Sequence, residues 1–239
     1  MNDTTINVAT IFAVPLAVTE VSGATALNAE LESLILSREQ TQYANQPPSP
    51  LLSKGVFESV PGILQWQEPC IEKLRSALVN SVGRVVAELS GFSQQELTSI
   101  IVMNQTRFHI TRHGGGFLPY NHPMASWSST YCVNAGDDVA DFPDSGTIRV
   151  LDSRIGLCTY LDPANMRWRA PFSFGHGSIR LRAGQLVVFP AYLLREVAAY
   201  MGERPRITIS SSYSFGVRST DAQNTAQTPA TDSNARRTS

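Results

Sequence analysis

Between residues 24 and 38 the apolar positions fall at Leu27, Leu31, Leu34 and Ile35, with Glu30, Glu32 and Ser33 between them. That spacing predicts an amphipathic helix. A longer helix is predicted over about 68–90, where Ile71, Leu74, Leu78, Val82, Val85 and Leu89 make one stripe. Pro69 falls in its first turn, and Gly91 stands where a C-terminal cap glycine belongs. Ser93 and Glu96 in SQQE form a capping-box signature for a short third helix. Between the two long helices, TQYANQPPSPLLSKG (41–55) holds three prolines and predicts a loop. After residue 100 the texture changes. IIVMNQTRFHI, WSSTYCV, TIRVLD, SIRLRAGQLVVFP and RITISSSYSFGV are short, β-branched or aromatic runs separated by turn-forming residues. Many short strands without intervening helices predict an antiparallel sandwich, barrel or jelly roll, with the helices packed on one outer face. The fold class expected is therefore α+β, mainly β.

The apolar run INVATIFAVPLAV (6–18) reads as a buried strand. No Lys or Arg precedes Arg38, Asp3 stands where a signal peptide carries positive charge, and Pro15 interrupts a run too short for a membrane span. The stretch after Arg218 has almost no large apolar residue and is expected to be disordered. One domain over 1–217 remains, its barrel starting near residue 100.

Composition narrows the function classes. With 42% apolar and 16% charged residues and a net charge of −1, the chain has no field to recruit nucleic acid or an anionic membrane. No basic stripe interleaved with aromatics suggests nucleic-acid readout. Cys70, Cys132 and Cys158 are widely spaced without a CxxC pair, which argues against a disulfide framework or zinc ribbon and fits a cytoplasmic protein. Cys132 and Cys158 read as small buried hydrophobes. The 19 basic residues are 17 arginines and two lysines, Lys54 and Lys73. Arginine suits planar, bidentate contacts to carboxylate or phosphate.

In GERPRITIS (202–210) a strand would set Arg206, Thr208 and Ser210 on one face and Ile207 and Ile209 on the other. Either that polar face meets solvent, or it lines an interior where Arg206 and Thr208 hold an anion. In AGQLVVFPAYLLREV (183–197), Arg195 is either a snorkelling surface residue or a charge aimed into a cavity. His109, alternating with apolar neighbours, reads as a core-edge or strand-face residue, and His113 beside three glycines as a loop residue. Trp127 and Tyr131 are expected to pack in the barrel, and Asp152 to pair with Arg154 or face substrate.

Four segments, GGGFLPYNHPMASWSSTYCV, SGTIRVLDSR, AGQLVVFPAYLLREV and GERPRITIS, occur in the order found in the family of 2-oxoglutarate and iron(II)-dependent oxygenases. The chain resembles that family over most of residues 6–216. The resemblance implies a double-stranded β-helix (a cupin-like jelly roll), with iron(II) and 2-oxoglutarate as cofactors. It makes His122 a metal-ligand position, and puts Tyr120 where the family has its first histidine and Arg195 where it has the distal one. It also implies that Arg206 and Thr208 bind the distal carboxylate of 2-oxoglutarate. Arginine offers a metal no lone pair; His176, in FGHGSIRL, is the substitute ligand to consider.

Two readings stay open. One is an oxygenase hydroxylating or desaturating a small molecule through an atypical metal site. The other is a catalytically inactive, metal-free jelly-roll module binding a dicarboxylate or other anion, with Arg195 standing in the metal's place. Substrate identity and oligomeric state are not legible.

Overall fold

The computed structural model describes residues 6–11, 13–152, 160 and 162–218. Two antiparallel sheets carry it. The larger contains β1 (Ala17–Glu20), β8 (Gln185–Pro190), β5 (Trp127–Asn134), β10 (Arg206–Val217), β3 (Ile100–Thr111) and β2 (Val56–Glu58), in that spatial order. The smaller runs β4 (Phe117–Tyr120), β9 (Arg195–Val197), β6 (Ile148–Leu151) and β7 (His176–Ile179). The fold is a mainly β jelly roll, and the α-helices among the described residues are α1 (Ala24–Ser37), α2 (Pro69–Ser90) and α3 (Gln94–Ser99).

Period-2 alternation divides the large sheet into two unlike faces. Phe108, Ile110, Tyr131, Ile207, Ile209 and Tyr213 join Leu27, Leu31, Ile35, Leu74, Leu78 and Val82 in the principal core, between sheet and helices. Burying each such side chain contributes roughly 1.5–3 kcal/mol. The opposite face, turned toward the small sheet, carries Arg107, His109 and Thr111 on β3, Arg206, Thr208 and Ser210 on β10, and Ser128, Thr130 and Cys132 on β5. One end of this interior is plugged by Cys132, Ile148, Leu181, Val187, Phe189 and Leu193. The rest is polar.

Several expectations need correction. Of the N-terminal apolar run only Ala17 and Val18 enter a strand, β1, which continues to Glu20 and pairs with β8 at the sheet edge. Ile6, Val8 and Ile11 are 80%, 75% and 77% exposed, because this stretch runs past the sheet without a neighbouring strand. The buried stripe of α2 passes through Val86, with Val85 partly buried against the same core, and does not reach Leu89. Leu89 is exposed in the last turn. Trp127 and Tyr131 face the helices, not the barrel interior, and the Tyr131 hydroxyl donates to Asn28 Oδ1 on α1 at 2.6 Å. The capping box at Ser93 and Glu96 forms, and α2 starts at Pro69 and ends at Gly91 in a left-handed conformation. The expected tail beyond Arg218 and residues Arg154 and Cys158 lie outside the described residues. No helix among the described residues is long and apolar enough to cross a membrane.

The glycine run 114–116 turns the chain from β3 into β4 and lays the small sheet over the polar face. A Cβ on Gly115 would stand 2.8 Å from the Arg112 carbonyl and 2.9 Å from that of Gly55. Both obstacles are backbone, which cannot swing aside. Gly115→Ala is expected to cost about 2 kcal/mol, read as a lower midpoint in urea unfolding at unchanged slope.

Candidate functional site

His109 and Arg107 reach the barrel interior because they alternate with Phe108 and Ile110, which the helix core holds on the other face. Register then places their neighbours. Glu58 of β2 lies opposite His109, Thr208 of β10 flanks His109 on the other side, and Ser210 lies opposite Arg107. The Glu58 carboxylate accepts from Asn45 Nδ2 at 2.6 Å and pairs with His109 Nε2 at 3.3 Å. Burial alone would raise its pKa; the bonds to His109 and Asn45 and nearby Arg107 outweigh that and hold it below the usual carboxylate value.

Tyr120, His122 and Arg195 are brought together at the other side of the interior. Tyr120 and Arg195 are register partners on β4 and β9, and the guanidinium lies 4.4 Å from the Tyr120 ring centroid and 4.9 Å from that of Phe189. Arg195 is only 2% exposed, so it is an interior charge and not a snorkelling one. Its Nη2 donates to His122 Nδ1 at 3.0 Å, and Ser128 Oγ lies 2.6 Å from the same nitrogen.

These contacts fix the histidine's chemistry. A guanidinium only donates, so Nδ1 is the acceptor and the neutral ring carries its proton on Nε2. Burial, with help from the positive charges of Arg195 and Arg107, lowers the His122 pKa to about 4. His122 therefore stays neutral near pH 7. It lines the cavity beside it as an N–H donor.

That arrangement does not fit iron(II). Ligation at Nε2 needs a lone pair there, hence the other tautomer, which would turn an N–H on Nδ1 against the Arg195 donor. Among the described residues no three His, Cys, Asp or Glu side chains stand close enough to hold a metal ion. His176 does not complete a set. Arg195, Val150 and Gly177 are register neighbours on one face of the small sheet, whereas His176 pairs with Leu151 and points to the opposite, exposed face. His113 is an exposed loop residue near the Met201 carbonyl.

Arg206 and Thr208 are buried in the interior, at 4% and 3% exposure. Desolvation pulls the Arg206 pKa below its ordinary value. The space they share with Arg195, Tyr120, Thr130 and Ile148 is about 10 Å³. That is room for about one water, so a five-carbon dicarboxylate does not fit it as the side chains stand. The larger cavity, about 210 Å³, lies at the barrel mouth and is lined by Glu58, Arg107, His109, His122, Ser210 and Ser212 among others. The two spaces meet at Phe117, Tyr120 and Ser210.

Among the described residues seven buried side-chain nitrogen or oxygen atoms lack a hydrogen-bond partner, and five of them lie in this interior: Arg107 Nε, His109 Nδ1, Thr111 Oγ1, and Arg195 Nε and Nη1. No carboxylate of the described residues is ion-paired with Arg107, Arg195 or Arg206. The interior is thus cationic and rich in unused donors. Sequence reasoning missed Glu58, Arg107 and His109 as site residues. The signal was present: Arg107, His109 and Thr111 alternate with Phe108 and Ile110 as Arg206, Thr208 and Ser210 alternate with Ile207 and Ile209.

Comparison with known proteins bears out the resemblance read from the sequence. Residues 108–212 match the model of the family described as "Putative 2OG-Fe(II) oxygenase". No curated protein matches the chain in sequence. Among solved structures, a Pseudomonas putida prolyl-4-hydroxylase superposes with a TM-score of 0.56 at 13% identity, covering 86% of this chain and 94% of its own. The non-heme alpha ketoglutarate dependent epimerase SnoN from nogalamycin biosynthesis gives 0.57 at 10% identity, covering 92% and 89%. HygX from Streptomyces hygroscopicus, solved with nickel and 2-oxoglutarate bound, gives 0.52 at 11% identity, covering 84% and 82%. At these identities the likeness shows a common fold.

Proposed function

We propose that this oxygenase-type jelly roll is a metal-independent binding module for a small carboxylate, seated in the cavity at the barrel mouth. The observation that carries this reading is a cationic interior in which Arg107, Arg195 and Arg206 have no ion-paired carboxylate among the described residues, with partnerless buried nitrogens on Arg107 and His109, which line the mouth cavity, and on Arg195 behind it. An uncompensated cationic interior is costly, and an anionic ligand supplies what the protein does not. Arg107 and the His122 Nε2–H meet the ligand carboxylate. Arg195, beneath them, adds a fixed positive charge and holds the His122 tautomer. Arg206 and Thr208 line the adjoining inner wall.

The iron-dependent oxygenase reading rests on the family match and the fold, and a fold can outlive its chemistry. The Tyr120, His122 and Arg195 cluster speaks against it, because it puts a permanent cation and a committed imidazole where a metal would be ligated.

Calorimetry separates the two. In the presence of a chelator, a panel of 2-oxoglutarate, succinate and pyruvate is expected to give binding heat with at least one member. Arg107→Met is expected to weaken that binding tenfold or more, since one charge-assisted contact contributes roughly 1.5–3 kcal/mol. Iron(II) that binds the metal-stripped protein and tightens 2-oxoglutarate would overturn the proposal in favour of the oxygenase.

A further inference from the structure

The cavity at the barrel mouth carries an anion as well as cations. Glu58 projects from β2 beside His109, while Arg107 projects from the same face of β3 two residues before His109. The two line one space of about 210 Å³ without forming an ion pair with each other. Glu58 is not free to leave: Asn45 and His109 clamp its carboxylate. His109 itself is 3% exposed, and with Nε2 committed to Glu58 its Nδ1 has no partner. One end of the cavity thus offers acceptors, the Glu58 carboxylate above all. Further along stand donors, the Arg107 guanidinium on β3 and, past Ser210 and Ser212 on β10, the His122 Nε2–H with Arg195 behind it. A third wall is apolar, made by Leu51, Leu52 and Phe117.

A ligand that is only a carboxylate is held by Arg107 and His122 but loses affinity to repulsion from Glu58, whose lone pairs it leaves unmatched. A ligand that also carries an ammonium answers both ends at once. The space is smaller than the roughly 300–1,000 Å³ of drug-sized sites, which suits a single residue-sized molecule.

From this geometry we infer that the ligand is a free α-amino acid with an aliphatic side chain. Its ammonium is met by Glu58, its carboxylate by Arg107 and the His122 Nε2–H, and its side chain by Leu51, Leu52 and Phe117. This identification rests on the metal-independent carboxylate reading above and specifies its ligand.

Three probes with one carbon skeleton test it on the full-length protein in chelator: L-leucine, its keto acid 4-methyl-2-oxopentanoate, and 3-methylbutylamine. Leucine is expected to bind at least tenfold more tightly than either of the others. Glu58→Gln is expected to bring leucine down to the level of the keto acid while leaving the keto acid unchanged or improved. A keto acid that binds wild-type protein as tightly as leucine would overturn the amino-acid assignment and leave the carboxylate reading standing. If neither leucine nor any carboxylate binds, both fall together. The comparison of probes on wild-type protein decides the matter even if Glu58→Gln fails to fold.

Discussion

Arg195→Met is expected to stabilise the ligand-free protein by about 1–2 kcal/mol while weakening carboxylate binding by about tenfold. Arg195 is 2% exposed, and two of its nitrogens, Nε and Nη1, make no hydrogen bond. Desolvating an uncompensated ion costs several kcal/mol. Against that stand one charge-assisted bond to His122, contributing roughly 1.5–3 kcal/mol, and cation–π contacts with Tyr120 and Phe189, each worth about 1–2 kcal/mol when desolvated. Methionine fills a similar unbranched volume and keeps the apolar packing on Phe189. His122 Nδ1 retains the Ser128 hydroxyl, so the substitution creates no new orphan there. Methionine also keeps sulfur–ring contacts of roughly 0.3–1.5 kcal/mol in place of the cation–π ones, so the net loss is smaller than the desolvation cost recovered, and at the usual scaling the melting temperature rises by roughly 4 °C. The affinity loss follows from removing a fixed charge behind the carboxylate and releasing the His122 tautomer. Urea unfolding and calorimetry on one preparation check both halves. A variant that is less stable than the parent would mean that Arg195 is a structural strut whose charge the protein itself compensates.

The second large effect is acid sensitivity. The His122 pKa is lowered from 6.5 to about 4 in the folded state, first by burial and then by Arg195. Below pH 6.5 the unfolded chain takes up a proton that the folded chain refuses, so stability falls as pH drops. The loss from this group begins near pH 6.5 and levels off near pH 4, below which both states are protonated. The full difference in pKa corresponds to about 3 kcal/mol, and partial exposure of the ring reduces that to roughly 2 kcal/mol. Glu58 is depressed below its ordinary value, so its contribution is present above pH 4.5 and is lost lower down. The two windows are therefore distinguishable. Chemical denaturation at pH 7, 5.5 and 4, repeated on His122→Asn, isolates the histidine. An undiminished slope between pH 6.5 and 4 in that variant would assign the effect to other groups. In Arg195→Met the slope is expected to shrink without vanishing, because burial is the larger cause.

Much of the fold was legible because its cause is local. Leu27, Leu31 and Ile35, and Ile71, Leu74, Leu78 and Val82, repeat at helical spacing, and their burial follows directly from that period. Pro69, Gly91, Ser93 and Glu96 act through their own backbone and the next turn, so the helix ends could be read as well. The alternation in RITIS put Arg206 and Thr208 on one face. It could not say whether that face meets water or a second sheet, since both give the same sequence pattern. The N-terminal run failed for the complementary reason: INVATIFAVPLAV has the composition of a buried strand, but only its Ala17 and Val18 find a neighbouring strand to pair with.

The sequence by itself determined the element types, the jelly-roll class, and the identity of three unusual positions, Tyr120, His122 and Arg195. Only the tertiary structure decided that these three converge, that Glu58, Arg107 and His109 share one cavity with Tyr120 and His122 while Arg195 lies behind it, and that His176 faces away. Convergence depends on register between strands up to about a hundred residues apart. A shift of one residue sends every side chain of a strand to its other face, and no local pattern records that choice.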